Sequence, residues 1–221
     1  VVPALTGLKC KEKIYNIGSG VRTTANIKMY VDHELKATEK GELQLTDYGI
    51  SGIPVFQISA DAAKAMAAGK NCHVILDFLP DFSEELLENY MRQRIESGGY
   101  KSAVNFLTGL FAKKLSEVLC ERCKFSKKLT AEKFTEDDIT NLCKQIKNFK
   151  IQIYGTNGFE YAQCCGGGVS LEEVDPLTME SLKVPGLYFC GELLDVHGDC
   201  GGYNLQWAWT SGYLAGKSIN D

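Results

Sequence analysis

The side-chain period changes twice along this chain, and that double change limits what it can fold into. Asn26 to Asp32 alternates, with Ile27, Met29 and Val31 on one side and Lys28, Tyr30 and Asp32 on the other. A period of two marks a half-buried strand. The same period returns at Phe149, Ile151 and Ile153, set against Lys150, Gln152 and Tyr154. Between the two lie helical spacings: Leu87, Met91 and Ile95 on one face, then Val104, Leu107, Phe111, Leu115 and Val118, then Ile139, Leu142, Cys143 and Ile146 behind a capping Thr135. Asp81 with Glu84 reads as a capping box before the first of these. Strands, a helical excursion and strands again predict an α+β fold: a β-barrel or sheet with a helical subdomain inserted over about residues 80–147.

Finer punctuation is also legible. Leu35 to Thr38 and Leu43 to Thr46 read as strands, with Glu39-Lys40-Gly41 as the turn between them. Val55 to Ile58 is a further short apolar run in a strand-like first sixty residues. Ser59 to Ala68 reads as an Ala-rich helix closed by Gly69, and His73 to Leu79 as a buried strand.

Charge and glycine content divide the chain near residue 160. Residues 161–221 hold eight acidic and two basic residues and 10 of the 22 glycines, while the remainder holds 20 acidic and 22 basic residues. The expected organisation is therefore a domain over 1–160 and a separate C-terminal segment over 161–221. A net charge of −4 argues against nucleic acid as a partner. No apolar run approaches the ~20 residues of a membrane span. The N-terminus has no basic stretch followed by an apolar one, so no secretory leader is read there. Nine cysteines without such a leader fit reduced thiols and a cytoplasmic location.

Several motifs could carry chemistry. Gly18-Ser19-Gly20-Val21-Arg22-Thr23 opens like a dinucleotide fingerprint, but it lacks the third glycine and leads into a strand, so it reads as a turn. Cys120-Glu121-Arg122-Cys123 has the spacing of a redox pair or half a zinc site, without a second pair to complete four ligands. Asp195-Val196-His197-Gly198-Asp199-Cys200 offers a nucleophile beside acid–base groups, in a loop. The strongest stretch is Gly186 to Glu192, read as a short buried strand, followed by a glycine-rich loop from Gly198 to Gly202 and a helix from about Asn204. Glycines let backbone approach a ligand, unpaired N–H groups at a helix start favour negative charge, and a carboxylate accepts from a sugar-like hydroxyl. The helix carries small residues, Ala208, Ser211, Gly212, Ala215 and Gly216, which require close packing.

Taken together, Gly166-Gly167-Gly168-Val169-Ser170-Leu171-Glu172-Glu173-Val174, Thr178-Met179-Glu180-Ser181, Gly186 through Asp195, and Gly201-Gly202-Tyr203-Asn204-Leu205-Gln206-Trp207-Ala208 resemble the C-terminal signature of the BaiN/YhiN-type flavoproteins. Gly41-Glu42 through Gly49-Ile50-Ser51-Gly52-Ile53-Pro54 resembles the central domain of the same family. The resemblance implies an FAD-dependent oxidoreductase exchanging hydride between NAD(P)H and a small organic substrate: an unsaturated, keto or bile-acid-like compound, or a small amine. It implies a β-barrel insertion with a helical subdomain, then a return that completes the FAD domain. Gly191 and Glu192 would meet the ribityl–phosphate part of FAD, and Gly202, Tyr203, Asn204 and Leu205 would face the flavin pyrimidine edge.

The family's N-terminal glycine fingerprint is not among these residues, and Cys164-Cys165-Gly166 stands where the family often carries a Thr-containing stretch. The chain alone is therefore expected to fold without holding FAD tightly, to pair with an N-terminal FAD-domain segment, and to self-associate through an exposed terminal face at Ala208, Gly212 and Ala215. The alternatives are a non-enzymatic binding or scaffold module on the same barrel, and a zinc module at Cys120 and Cys123.

Overall fold

The computed structural model describes residues 1–12 and 15–220; Asp221, the end of the expected C-terminal segment, lies outside them. The elements run β1 (Val2–Ala4), β2 (Leu8–Cys10), α1 (Tyr15–Gly18), β3 (Arg22–Val31), β4 (Glu34–Leu45), β5 (Gly49–Ser51), α2 (Ile53–Ala67) and β6 (Cys72–Asp77). They continue with α3 (Glu84–Gly98), α4 (Ala103–Phe106), α5 (Lys113–Arg122), α6 (Glu136–Lys147), β7 (Phe149–Thr156), β8 (Cys164–Gly166) and α7 (Tyr203–Asn220). Strands close into an antiparallel barrel in the order β2-β5-β4-β3-β6-β7, with β7 returning to β2. The helices α3 to α6 form the excursion between β6 and β7, which are themselves hydrogen-bonded neighbours. The α+β barrel with an inserted helical unit is thus the observed architecture.

Closure buries Ile27, Met29 and Val31 of β3 against Val74 and Leu76 of β6 and Ile151 of β7. The expected turn at Glu39–Gly41, between strands at Leu35–Thr38 and Leu43–Thr46, is absent because Glu34–Leu45 is one strand. The hairpin from β3 into β4 sits at Asp32 and His33, with φ of 47° and 76°. Two successive positive φ values make the tight hairpin whose twist matches the flanking strands. Glu39, Lys40 and Gly41 lie inside β4, paired with Ile27, Asn26 and Ala25. Gly41 is there for packing: a Cβ would come within 3.3 Å of Pro54.

Val55 to Ile58 belongs to α2, which starts at Ile53 rather than Ser59. Pro54 sits in the first turn, where its missing N–H costs nothing. Helix α3 is capped by Ser83, whose hydroxyl accepts from the Leu86 N–H at 3.1 Å. Asp81 instead pairs with Lys40 at 2.8 Å on the surface. The stretch from Val104 to Val118 is two helices, broken where Gly109 takes φ of 92°. Leu107, Phe111, Leu115 and Val118 are buried nonetheless. Helix α6 carries a full capping box: Thr135 accepts from the Asp138 N–H at 3.2 Å, and the Asp138 carboxylate accepts from the Thr135 N–H at 2.9 Å.

The excursion is fastened to the barrel at its root. Phe149 packs edge-on against Phe78 at 5.5 Å between centroids, under the Arg122 guanidinium at 4.7 Å. Lys147 pairs with Asp77 at 2.6 Å and also donates to the carbonyls of Leu79 and Phe82. The C-terminal segment joins through β8, which pairs with β1, and through α7, which packs on a 3-10 turn at Gly191–Leu193. Among the described residues no helix is long and apolar enough to cross a membrane.

Candidate flavin-facing site

Gly186 to Glu192 is not a buried strand. Tyr188 makes one isolated bridge to Glu180, and Leu187 is 41% exposed. A strand needs neighbours to pair its backbone, and only this single bridge is made among the described residues. Gly191 turns the chain with φ of 62°, and its two backbone groups are both used internally. Its N–H donates to the Ser211 hydroxyl at 2.9 Å, and its carbonyl accepts from the Trp207 indole at 3.1 Å. Gly191 is therefore the hinge that docks this segment on α7, with a Cβ position only 3.6 Å from Ala208.

The exposed Glu192 carboxylate accepts from the Cys165 N–H and is also hydrogen-bonded to the Cys165 thiol. Asp195 accepts from the Gly167 N–H at 2.9 Å and lies 3.8 Å from Lys64 on α2. An open depression of about 440 Å³ lies beside Gly167, Gly168, Cys190 and Glu192.

The glycine-rich loop then enters α7 through Gly201 and Gly202, with φ of 129° and 91°. Asn204 clamps that loop, accepting from the Gly198 N–H at 2.8 Å and donating to its carbonyl at 3.0 Å. Among the described residues the N–H groups of Tyr203, Asn204 and Leu205 have no acceptor; the ladder starts at Gln206, which bonds to the Gly202 carbonyl at 3.0 Å. The expected positions 202–205 are thus a bare helix start with its dipole's positive end outward.

Three residues that spacing alone does not reveal build this arrangement. Ser211 and Trp207 tie α7 to Gly191, and Gln57 of α2 accepts from the Cys200 N–H at 2.9 Å. Gln57 and Phe56 also line a groove of about 510 Å³ running beside Arg22, Lys40 and Gln44. The glycine loop and the groove therefore share a wall. The exposed face of α7 differs from expectation: Ser211 and Ala215 are buried, while Leu205, Trp209 and Tyr213 point outward. Ser211 and Trp207 meet the Gly191 turn, and Gly191 leaves a Cβ position 3.6 Å from Ala208.

The donor set fits FAD. Free N–H groups suit the flavin pyrimidine edge, and the exposed Glu192 carboxylate suits a ribityl hydroxyl.

The cysteines carry other chemistry. Burial pushes the Cys120 and Cys123 thiols up to about 12, which disfavours the thiolate that metal binding or redox exchange requires. Among the described residues no cluster of three metal-ligating side chains is present. Burial and then Asp199 raise the Cys200 thiol, and among the described residues no hydrogen bond joins it to His197. Alkylation of the native chain at neutral pH is expected to mark exposed Cys190 first and to spare Cys120, Cys123 and Cys143 until unfolding. Mass spectrometry of the labelled peptides checks this, and rapid native labelling of Cys120 would refute it.

The family described as HI0933-like protein barrel and H2TH domain matches residues 2–164. A 3-dehydro-bile acid delta(4,6)-reductase of Clostridium scindens is 44% identical over 218 residues, 99% of this chain and 53% of that protein. A ribosomal RNA dihydrouridine synthase of Haemophilus influenzae is 35% identical over 179 residues, 81% of this chain and 42% of that protein. One of Escherichia coli is 33% identical over 177 residues, 80% of this chain and 42% of that protein. The chain spans about half the length of the curated relatives it matches. Barrel, inserted helices and sequence together place it: the chain belongs to the BaiN/YhiN-type flavoprotein family.

Proposed function

We propose that this chain forms the barrel and the flavin-facing return of an FAD-dependent, NAD(P)H-driven oxidoreductase that saturates a carbon–carbon double bond conjugated to a carbonyl. The observation that carries the reading is the bare N–H cluster of Tyr203, Asn204 and Leu205, which follows the loop that Cys200 ties to Gln57 at the edge of an open groove. The relatives' names supply the substrate chemistry. A 3-dehydro delta(4,6) bile acid has ring double bonds in conjugation with a ketone. Dihydrouridine forms by saturating the ring double bond of uridine, also conjugated to a carbonyl. One reaction type covers both, so the enone is the common element and the rest of the substrate is the variable.

FAD, when bound, supplies the hydride. The chain's own contribution is position and field. The start of α7 would hold positive potential beside the flavin pyrimidine edge. Asn204 fixes the loop that presents those groups. Phe56, Ile53 and Pro54 give the groove an apolar wall, and Gln44 and Ser51 offer polar contacts to orient a carbonyl. The first substrate reading is a small unsaturated keto compound. The second, a uridine in RNA, is favoured by the basic stretch over residues 101–133, which holds eight basic and three acidic side chains. All nine cysteines are free, which supports a reducing, cytoplasmic setting.

Intact protein purified from its own cells is expected to show flavin absorbance that bleaches with NAD(P)H and returns on adding an enone. Asn204→Ala should weaken FAD binding about tenfold, roughly the worth of one well-placed hydrogen bond. Protein that holds no flavin and cannot be reconstituted would sink the reading.

A further inference from the structure

We propose that the helical subdomain carries an RNA-binding face, centred on the groove between α4, α5 and the turn that follows α5. The choice of RNA rests on the uridine reading above; the charge and the groove stand without it.

The whole-chain charge of −4 conceals a local excess of the opposite sign. Residues 101–133 hold eight basic side chains and only three acidic ones, Glu117, Glu121 and Glu132. Lys113, Lys114, Lys124, Lys127, Lys128 and Lys133 are all exposed. Among the described residues none of the six forms an ion pair, whereas lysines elsewhere do, at positions 36, 40, 64, 147 and 183. Unpaired cations held close together raise the potential of the face they share, and such a face suits a polyanion.

Local structure concentrates them. The chain at Lys101–Ala103 runs beside Leu129–Ala131 through two backbone bonds, Ala103 N–H to the Leu129 carbonyl at 2.9 Å and Ala131 N–H to the Lys101 carbonyl at 3.0 Å. That pairing brings the turn bearing Lys127 and Lys128 against α4. Lys124 takes φ of 60°, which reverses the chain after α5. A groove of about 650 Å³ is lined by Lys113 and Lys127 together with Glu117 and Glu121. Half-buried Phe125 and the polar Ser102, Asn105 and Ser126 line it.

These groups match a folded or single-stranded RNA segment better than a lipid surface. Lysines at the rim contact phosphates and release counterions, an aromatic in the groove stacks an unpaired base, and Glu117 and Glu121 in its wall can accept from base amino groups. Interfacial membrane binding needs an exposed apolar helix face, but Leu115, Val118 and Leu119 of α5 are buried.

The test is fluorescence anisotropy of a labelled ribosomal RNA stem-loop titrated with the purified chain, at about 50 mM and about 200 mM salt. Saturable, salt-sensitive binding is expected. Lys113→Glu with Lys127→Glu and Lys128→Glu should weaken it by at least about tenfold and reduce the salt slope by about two to three. Lys70→Glu, an exposed lysine after α2, should leave it unchanged, and unaltered thermal unfolding of all variants shows that they fold. No saturable binding, equal binding by the triple variant, or equally tight and equally lysine-dependent binding to phosphatidylserine vesicles would each overturn the proposal. Enone reduction by the intact flavin-loaded protein is measured separately. Its absence beside lysine-dependent RNA binding removes the proposed reaction and leaves this face standing.

Discussion

Phe149→Ala is expected to lower the unfolding free energy by about 3–5 kcal/mol, the usual cost of emptying a buried aromatic site. Phe149 is 1% exposed and starts the strand by which the helical excursion re-enters the barrel. Its ring touches Phe78, where the excursion leaves, and lies under Arg122 of α5. Removing it therefore opens a cavity at the junction of two units and frees a guanidinium from its aromatic seat. Urea denaturation reads the loss as a lower midpoint with an unchanged slope. A loss under about 1 kcal/mol would mean that the site collapses to fill the void.

Gly52→Ala is expected to cost about 2–3 kcal/mol, from backbone strain and a direct clash. Gly52 has φ of 106°, and a Cβ there would stand 2.3 Å from the Glu42 carbonyl oxygen. The obstacle is backbone of β4, so no side-chain rotation relieves it. Gly20, with φ of 87° and open space around it, separates the two causes. Gly20→Ala should lose only the conformational part, about 1–2 kcal/mol. Equal losses at both positions would show that the clash at Gly52 relaxes freely. Because Gly52 also lines the groove beside Gln57, its variant should bind groove ligands more weakly as well.

The barrel and the excursion were legible because burial imposes a period. Ile27, Met29, Val31, Leu87, Met91, Leu142 and Ile146 all lie inside as their spacing requires. The misplaced features have local causes. Ile53-Pro54-Val55-Phe56 is apolar enough to imitate a strand, and only proline's preference for a helix's first turn signals α2. Asp32-His33 makes the hairpin without a glycine, while Gly41, the residue that looks like a turn, is a packing contact. Gly186 to Glu192 has strand composition, but among the described residues one antiparallel bridge, Tyr188 to Glu180, is all that pairs it.

The candidate site was half visible. Glycine spacing marked the loop and the start of α7, since positive φ restricts which residues can stand there. Gln57 left no such trace, because its partner, Cys200, is 143 positions away. Ser211 looked like one more small helix residue, yet its hydroxyl bridges the Gly191 N–H and the Trp207 carbonyl. The basic excess over residues 101–133 was lost in the whole-chain balance.

The excursion from β6 to β7 begins and ends on adjacent strands, with Leu76 directly opposite Phe149. In polymer terms it is an enlarged hairpin loop. Its two ends are pinned by the barrel's own ladder, whatever its contents. Closing such a loop costs only about 0.6 kcal/mol more for each doubling of its length. Segments can therefore be added to or trimmed from the excursion with little penalty to barrel closure. The outer surface can be rewritten for a new ligand while the strands that frame the groove keep their register. A single scaffold can in this way acquire different cargo without rebuilding the wall against which the chemistry takes place.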